Sequence, residues 1–548
     1  MSNDFEDALF SNPDNIKPAE PKKAVVTDET DTRAKTTLEA PEIPSSKLDK
    51  VTQEELSAMI KGAMFKFKTR PRHHQLVAFL KSRDAEEFAY FMEMGTGKSK
   101  VGIDNAAYLY DKGEINALLV FSNKGSYRNW SEPEEGEIVK HMPAHVEYFM
   151  THWEAGANKQ LRATYDELFK PRDDLKILIM NTEAMSYDRG VKMATDFVKL
   201  HRTMVIVDES TTIKNRDAKR TKNVVKLRRI SKYRRIMTGS PVTKTPMDLY
   251  APCEFLHPSL LGFSSYYSFQ SHYADLVQRE ARQGNRVQTY KAIIGYKHLD
   301  ELRDVLEKFS FRVRKEECLD LPPKIYMTYD VDLTDEQAKH YKNLVKECMT
   351  EIEGSMVSST VVLTQLLRLH QLVCGYLVTD DKRIIEVANN RVNALLDIIE
   401  ETGKVIIWAT YRKDIQLIAK TLAEKFGEDS VITYYGDTTS DERADAVKRF
   451  QDSNDSLRFF VGNPKVGGYG VTLTEASTVV YYSNNYDLEV RLQSEDRAHR
   501  IGQTKSVTYV DLVARGTVDE KILKALRSKR NLAAEVLGDP NTFKEWLQ

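Results

Sequence analysis

Short apolar runs, each closing on a polar or glycine-containing turn, recur through the first half of the chain: "FAYFM" (88–92), "ALLVFS" (117–122), "ILIMN" (177–181), "TMVIVDE" (203–209) and "RRIMTGS" (234–240). Runs of this length bounded by turn residues predict strands buried on both faces. Helical segments lie between them, so the alternation predicts βαβ units and a parallel sheet covered by helices. From about residue 259 the strand rhythm fades, and "HLDELRDVLEKFSF" (298–311) and "TDEQAKHYKNLVKECMTEIEG" (334–354) show helical spacing. A second βα series follows in "KVIIWAT", "VITYYG", "LRFFVGN", "TVVYYSN" and "SVTYVDLV", between residues 404 and 513. The fold class expected is therefore α/β, with two tandem lobes facing each other across a cleft. The division expected is an acidic disordered tail (1–50), a first lobe (51–258), a helical insertion and crossing (259–390), a second lobe (391–515) and a C-terminal helical brace (516–548).

A length of 548 residues agrees with two or three domains. No apolar run approaches the roughly 18 residues that span a bilayer, and the acidic, polar start lacks the features of a signal peptide. The four cysteines, Cys253, Cys318, Cys348 and Cys374, form no CxxC pair, which argues against zinc sites and for a reducing cytoplasm. The net charge of -1 hides an uneven distribution. Residues 1–50 carry eleven acidic and seven basic side chains, whereas Lys214 to Arg235 hold eleven Lys or Arg against the single acid Asp217. Local clustering, not the sum, decides phosphate binding. The tail reads either as a solubilising segment or as a short partner-binding peptide around "DFEDALF".

Candidate chemistry follows the apolar runs, where open α/β sheets place their ligands. After "FAYFM" comes Gly95-Thr96-Gly97-Lys98-Ser99, opening a helix. Glycines let backbone N–H groups approach phosphate oxygens, and the helix N-terminus adds positive partial charge. Lys98 would neutralise β and γ phosphates, and the Ser99 hydroxyl would bind magnesium. By itself the stretch reads as this loop or as an ordinary strand-to-helix turn, because Met92 occupies the place where the strict pattern has glycine. Asp208 and Glu209, at the end of "MVIVDE", favour the first reading. An acidic pair at a buried strand tip is costly without a cation or water, so Asp208 suits a magnesium ligand and Glu209 the group that polarises attacking water. Near the far end, "QSEDRAHRIGQ" spaces Gln493, Arg497 and Arg500 at i, i+4 and i+7, which a helix would put on one face. Two guanidinium groups aimed together suit the charge of a transferred phosphoryl group.

Taken in order, these motifs resemble the Swi/Snf-type ATPases of helicase superfamily two, double-stranded-DNA translocases built from two RecA-like lobes. The resemblance runs from about residue 68 to 525 through "RPRHHQLVAFL", "EMGTGKS", "LLVFSNKGSYRNW", "VDESTTIKN", "MTGSPVTKTPMDLY", "FSFRVRKEECLDLPPK" and "NPKVGGYGVTLTEASTVVYYSNNYDLEVRLQSEDRAHRIGQ". It implies Gln75 as the adenine contact, Gly95, Thr96, Gly97, Lys98, Ser99 and Gly470 at the nucleotide, and Arg497 and Arg500 with Gln493 as catalytic groups of the second lobe. It also implies Lys124, Arg128, Thr182, Lys465 and Gly468 along DNA, and reads Trp130 as part of the first DNA-contacting motif. The basic stretch from Lys214 either extends that surface or is a solvated helix face packed through Val224, Val225 and Leu227.

The implied function is a DNA-dependent ATPase that uses ATP and magnesium to move on or remodel duplex DNA without sequence preference. The alternative is a strand-separating helicase on forks, single strands or RNA. A monomer is expected, in a bacterial or phage-infected cytoplasm, with replication, recombination or repair proteins as partners. The chain departs from the family in three places: Met92 where an acid is usual, Ser210-Thr211 for Ala-His, and Thr472 for asparagine.

Overall fold

Successive residues of the first strand, β1 (Glu87–Met92), point into two different cores. Ala89 and Phe91 join one cluster, while Phe88, Tyr90 and Met92 join another. The same alternation continues along β2 (Ala117–Ser122), where Leu119 and Phe121 face one cluster and Leu118 and Val120 the other. A sheet with two covered faces therefore needs unbroken apolar runs, which is why these strands were legible. The computed structural model describes residues 65–124, 126–283, 286–354, 359–379, 381, 383–436, 438, 440–467 and 471–537. The expected tail, residues 1–50, lies outside the described residues.

The first sheet adds β3 (Tyr148–His152), β4 (Leu175–Asn181), β5 (Thr203–Asp208) and β6 (Tyr233–Met237), and later a strand from the crossing region. That region holds a hairpin, β7 (Ala274–Gln283) and β8 (Arg286–Tyr296), then β9 (Ser310–Val313). The order β3-β4-β2-β5-β6-β1-β9 is parallel throughout. The second sheet takes β10 (Lys324–Val331) and, after the small pair β11 (Tyr376–Val378) and β12 (Ile384–Glu386), β13 (Val405–Trp408), β14 (Val431–Tyr434), β15 (Phe459–Gly462), β16 (Thr478–Tyr481) and β17 (Val507–Ala514). Its order, β10-β17-β16-β13-β15-β14, is parallel as well. The two tandem RecA-like lobes expected from the sequence are thus present.

Helices flank both sheets: α1 (His73–Ser82), α2 (Lys98–Asp111), α3 (Lys219–Lys226), α4 (Leu299–Glu307), α5 (Asp335–Gly354), α6 (Ser359–Val373), α7 (Leu488–Glu495) and α8 (Val518–Leu537) among them. The stretch between the lobes is richer in strands than its helical spacing suggested. "HLDELRDVLEKFSF" divides into α4 and the start of β9, and β10 pairs with the second sheet. β10 is an edge strand with most side chains exposed, so it offered no continuous apolar run. Helix α8 spans both lobes. Val518, Ile522 and Leu526 pack with Leu488 and Val513 of the second lobe, and Val536 packs in the first-lobe core that holds Leu299 and Leu302. Residues 538–548, expected to finish this brace, lie outside the described residues.

Inside the second lobe, Arg491 is buried against the Tyr481 ring, 3.6 Å from its centroid. It donates to Glu495 Oε1 at 2.8 Å, to Asn484 Oδ1 at 2.8 Å and to both oxygens of Asp511. Removing one member of a buried ion network leaves uncompensated charge. Arg491→Met is expected to destabilise the protein by about 3–5 kcal/mol. Denaturant unfolding followed by tryptophan fluorescence checks this, and Arg491→Met with an unchanged midpoint would contradict it.

Candidate active site

β1 ends at Met92, and the chain turns through Glu93 to Gly97 into α2. Gly95 and Gly97 have φ of +81° and +89°, a region open to glycine at little cost. A Cβ at Gly97 would stand 2.2 Å from Gln75 Nε2, so a side chain there would push Gln75 off the Thr96 carbonyl. Met92 belongs to the strand, not to the turn: its side chain is fully buried in the core. A glycine there would lose packing and gain no conformation the loop uses. Its carbonyl and that of Glu93 accept from Lys98 Nζ at 2.8 and 3.2 Å. Burial lowers the proton affinity of the Lys98 amine, opposed by the nearby Glu209 and Asp208 carboxylates.

Gln75 lies on the loop, donating from Nε2 to the Thr96 carbonyl at 2.9 Å and accepting at Oε1 from the Arg72 amide at 2.9 Å. His74 Nε2 reaches the same carbonyl at 2.8 Å, and the Thr96 hydroxyl donates to the Glu93 carbonyl at 2.7 Å. Ser99 lies beside Glu137, at the start of a short helix (Glu137–His141). Burial, then Asp208, raises Glu137 above the ordinary carboxylate range, while Arg500 acts in the opposite sense. Glu137 escaped sequence reasoning because it is one of several acids in "SEPEEGEIVK", with nothing in its spacing to single it out.

Asp208 and Glu209 close β5 opposite Lys98. Asp208 Oδ2 accepts from Ser122 Oγ at 3.1 Å and from the Trp130 indole N–H at 3.0 Å. Trp130 is buried, so it orients this carboxylate and presents no ring to a duplex. Glu209 adopts a left-handed backbone, φ 53°, uncommon for a residue with a Cβ. Strain of this kind concentrates where the surroundings hold a functional group in place. Glu209 Oε1 accepts from Thr238 at 2.7 Å and from Thr211 at 3.3 Å. Burial and then Glu489 raise its proton affinity, against the pull of Lys98.

The second lobe reaches this loop. α7 stops at Glu495, so Arg497 and Arg500 lie in the turn that follows and not on one helical face with Gln493. The turn achieves the same convergence. Arg497 donates to the carbonyls of Gln493 and Val471 at 2.9 and 3.2 Å and touches Met94 Sδ at 3.7 Å. Arg500 donates to the Val471 carbonyl at 3.3 Å, and its Cβ would lie 3.8 Å from a Cβ placed on Gly95. Gln493 is buried with its Oε1 unpartnered, and its Nε2 donates to Glu489 Oε1 at 3.4 Å. Lys315, from the crossing, ties the lobes through Asp496 Oδ1 at 2.6 Å and the His499 carbonyl at 2.7 Å. Burial tends to raise Asp496, but Lys315 and Lys324 outweigh it and hold the carboxyl at about 2.

The residues expected along DNA are scattered. Lys124 and Lys465 are exposed, Arg128 is exposed but ion-paired to Glu154, and Gly468 and Gly470 lie outside the described residues. Thr182 is fully buried, its hydroxyl donating to the Ser122 carbonyl at 3.0 Å, so its side chain is not a surface group. The basic stretch from Lys214 is mostly engaged within the protein. Arg235 is buried on backbone carbonyls and Asn105, Arg234 pairs with Glu87, and Lys232 with Glu114. Val224 and Leu227 pack beneath it, as the helix-face reading expected. Among the described residues no three His, Cys, Asp or Glu side chains cluster as a metal site. A magnesium ion at Ser99 and Asp208 would thus be completed by phosphate and water, its usual habit. No described helix is long and apolar enough to cross a membrane.

Residues 73–375 match the model of the SNF2-related domain. The chain belongs to the SNF2-related family of helicase superfamily two ATPases. A helicase conserved C-terminal domain matches residues 390–502 of this SNF2-related chain. It is 27% identical over 416 residues to the TATA-binding protein-associated factor mot1 of Schizosaccharomyces pombe, covering 65% of this chain and 21% of that protein. It is 25% identical over 483 residues to the CHD3-type chromatin-remodeling factor PICKLE of Arabidopsis thaliana, covering 82% and 33%. An uncharacterized ATP-dependent helicase of Mycoplasma genitalium is 26% identical over 345 residues, covering 62% and 31%. The chain therefore spans about a fifth to a third of these relatives. The SWI2/SNF2 ATPase core of Sulfolobus solfataricus, solved in complex with double-stranded DNA, is 25% identical, covering 88% of this chain and 96% of that one at a TM-score of 0.38.

Proposed function

We propose that this SNF2-related chain is an ATP-driven motor that moves along double-stranded DNA, its substrate bound through phosphates without base readout. The observation that carries the reading is the convergence of Arg497 and Arg500 from one lobe on the glycine loop of the other, opposite Lys98 and the Asp208–Glu209 pair. The glycine cradle, the buried lysine and the adjoining hydroxyl–carboxylate pair fit a nucleoside triphosphate with its magnesium ion, which supply the transferable phosphoryl group and neutralise its charge. Gly95, Thr96, Gly97 and Lys98 would hold phosphate oxygens, Ser99 and Asp208 would hold the magnesium ion, and Gln75 would border the base. Glu209 accepts a proton from attacking water. Arg497 and Arg500, with Gln493 behind them, neutralise charge that grows as the phosphoryl group leaves. Because these groups belong to different lobes, catalysis requires lobe contact, and turnover alternates contact with release. Lys124, Arg128 and Lys465 are the candidates for tracking the duplex backbone.

ATP hydrolysis measured with plasmid duplex, single-stranded DNA and RNA tests the reading. Duplex should stimulate most, with no strand displacement. Stimulation by single strands or RNA alone, with displacement, would favour strand separation instead. In the same assay Lys98→Ala should lower turnover by roughly 10²-fold or more, since a preorganised charge in a water-poor site is lost.

A further inference from the structure

Thr211 stands where the resembled family has histidine, and its hydroxyl lies between two carboxylates of different lobes. It is 2.6 Å from Glu489 Oε1 of α7 and 3.3 Å from Glu209 Oε1. A threonine hydroxyl has one hydrogen to donate, so the two carboxylates compete for it, and the shorter contact goes to Glu489. Glu489 is seated for this by Lys214, which donates to its other oxygen at 2.9 Å and to Thr243 Oγ1 at 2.8 Å. Thr243 is fixed in turn by Asp248, whose Oδ2 accepts from the Thr243 hydroxyl and amide at 3.0 Å each. Gln493 donates to Glu489 Oε1 from one turn further along α7. The Glu489 and Lys214 side chains are only 12% and 20% exposed, so the bridge is shielded from the solvent that weakens surface pairs.

We propose that Glu489 is a positioning residue through which the second lobe controls Glu209: when the lobes meet, it draws the Thr211 hydrogen to itself and leaves Glu209 to the Thr238 hydroxyl. When the lobes part, the Thr211 hydrogen turns to Glu209. A carboxylate that accepts fewer hydrogen bonds is the stronger base, so contact with the second lobe prepares Glu209 for water, and separation quiets it. The step moves no heavy atom of Glu209 and needs only a hydroxyl rotation. The inference rests on the reading of Glu209 as the group that accepts the proton.

Two readouts separate the bridge from its catalytic consequence. Small-angle scattering of the nucleotide-free protein tests the bridge: Glu489→Lys, facing Lys214, should enlarge the radius of gyration, and adding Lys214→Glu should reverse the change. Turnover at saturating duplex DNA tests the positioning role. Glu489→Ala should lower kcat by roughly threefold to tenfold, the weight of one hydrogen bond, with little change in the KM for ATP, because the Thr211 hydrogen then stays on Glu209. The Thr211→Val/Glu489→Ala double variant should recover most of the wild-type kcat, because without the hydroxyl nothing is left to quiet Glu209. Thr211→Ser/Glu489→Ala, which keeps the hydroxyl, should stay as slow as Glu489→Ala. A Thr211→Val/Glu489→Ala variant as slow as Glu489→Ala, or equal recovery in Thr211→Ser/Glu489→Ala, would overturn the positioning role. An unchanged radius in Glu489→Lys would overturn the bridge. Absence of ATP hydrolysis by the wild-type chain with every nucleic acid would overturn the functional reading and the positioning role with it, while scattering still decides the bridge.

Discussion

Glu209→Gln is expected to lower DNA-stimulated ATP turnover by about 10²–10⁴-fold, the usual contribution of a positioned general base. The amide is nearly isosteric and still offers Oε1 to Thr238 and Thr211, so the left-handed turn at residue 209 and its contacts can persist. What it cannot do is take a proton. Neutralising residue 209 also removes the carboxylate with the largest pull on Lys98, which leaves that lysine freer to pair with phosphate. Nucleotide affinity should therefore hold or rise while turnover falls. Single-turnover hydrolysis, with retention of labelled ATP on the protein, measures both. Full activity in Glu209→Gln would remove the mechanism, because Glu209 is the buried carboxylate that Thr238 and Thr211 hold at the loop.

The second large effect belongs to Arg500→Ala. An arginine that meets a developing phosphoryl charge is worth about 10³–10⁵ in turnover in related chemistry. Arg500 borders Gly95, and burial disfavours its charge against the pull of Asp496 and Glu137, so an anionic target is the natural partner for its guanidinium. It is a cleaner test than Arg497, which is buried and bonded to Gln493, Val471 and Met94, so that truncating Arg497 also disturbs packing. Arg500→Ala should bind ATP with near-normal affinity yet lose DNA-stimulated hydrolysis. Arg500→Lys should recover only part of the rate, since an ammonium lacks the planar fork. Equal loss of ATP affinity and turnover would instead mark Arg500 as a binding residue.

Strands buried on both faces announce themselves as apolar runs, and all ten runs read from the sequence became strands of the two sheets. The glycine loop and the Asp-Glu pair were legible for a related reason, since each directly follows such a run. Two edge strands were not: β3 is only half-buried and β10 mostly exposed, and both mix polar with apolar positions. The question raised by Met92 also needed the structure. Its place in a fully buried strand end explains why glycine is not required there.

Local pattern thus determined the elements, their parallel sheets and the identities of Lys98, Ser99, Asp208 and Glu209, because backbone propensity, burial and strand-end chemistry act over a few residues. Contacts between residues tens to hundreds of positions apart leave no such period. Only the tertiary structure could show that Trp130 serves Asp208, that Glu137 meets Ser99, that Arg497 and Arg500 leave α7 before reaching the loop, and that Glu489 shares the Thr211 hydroxyl with Glu209. The first two are decided by how loops pack at the strand ends of the first lobe, and the others by how the second lobe packs across the junction.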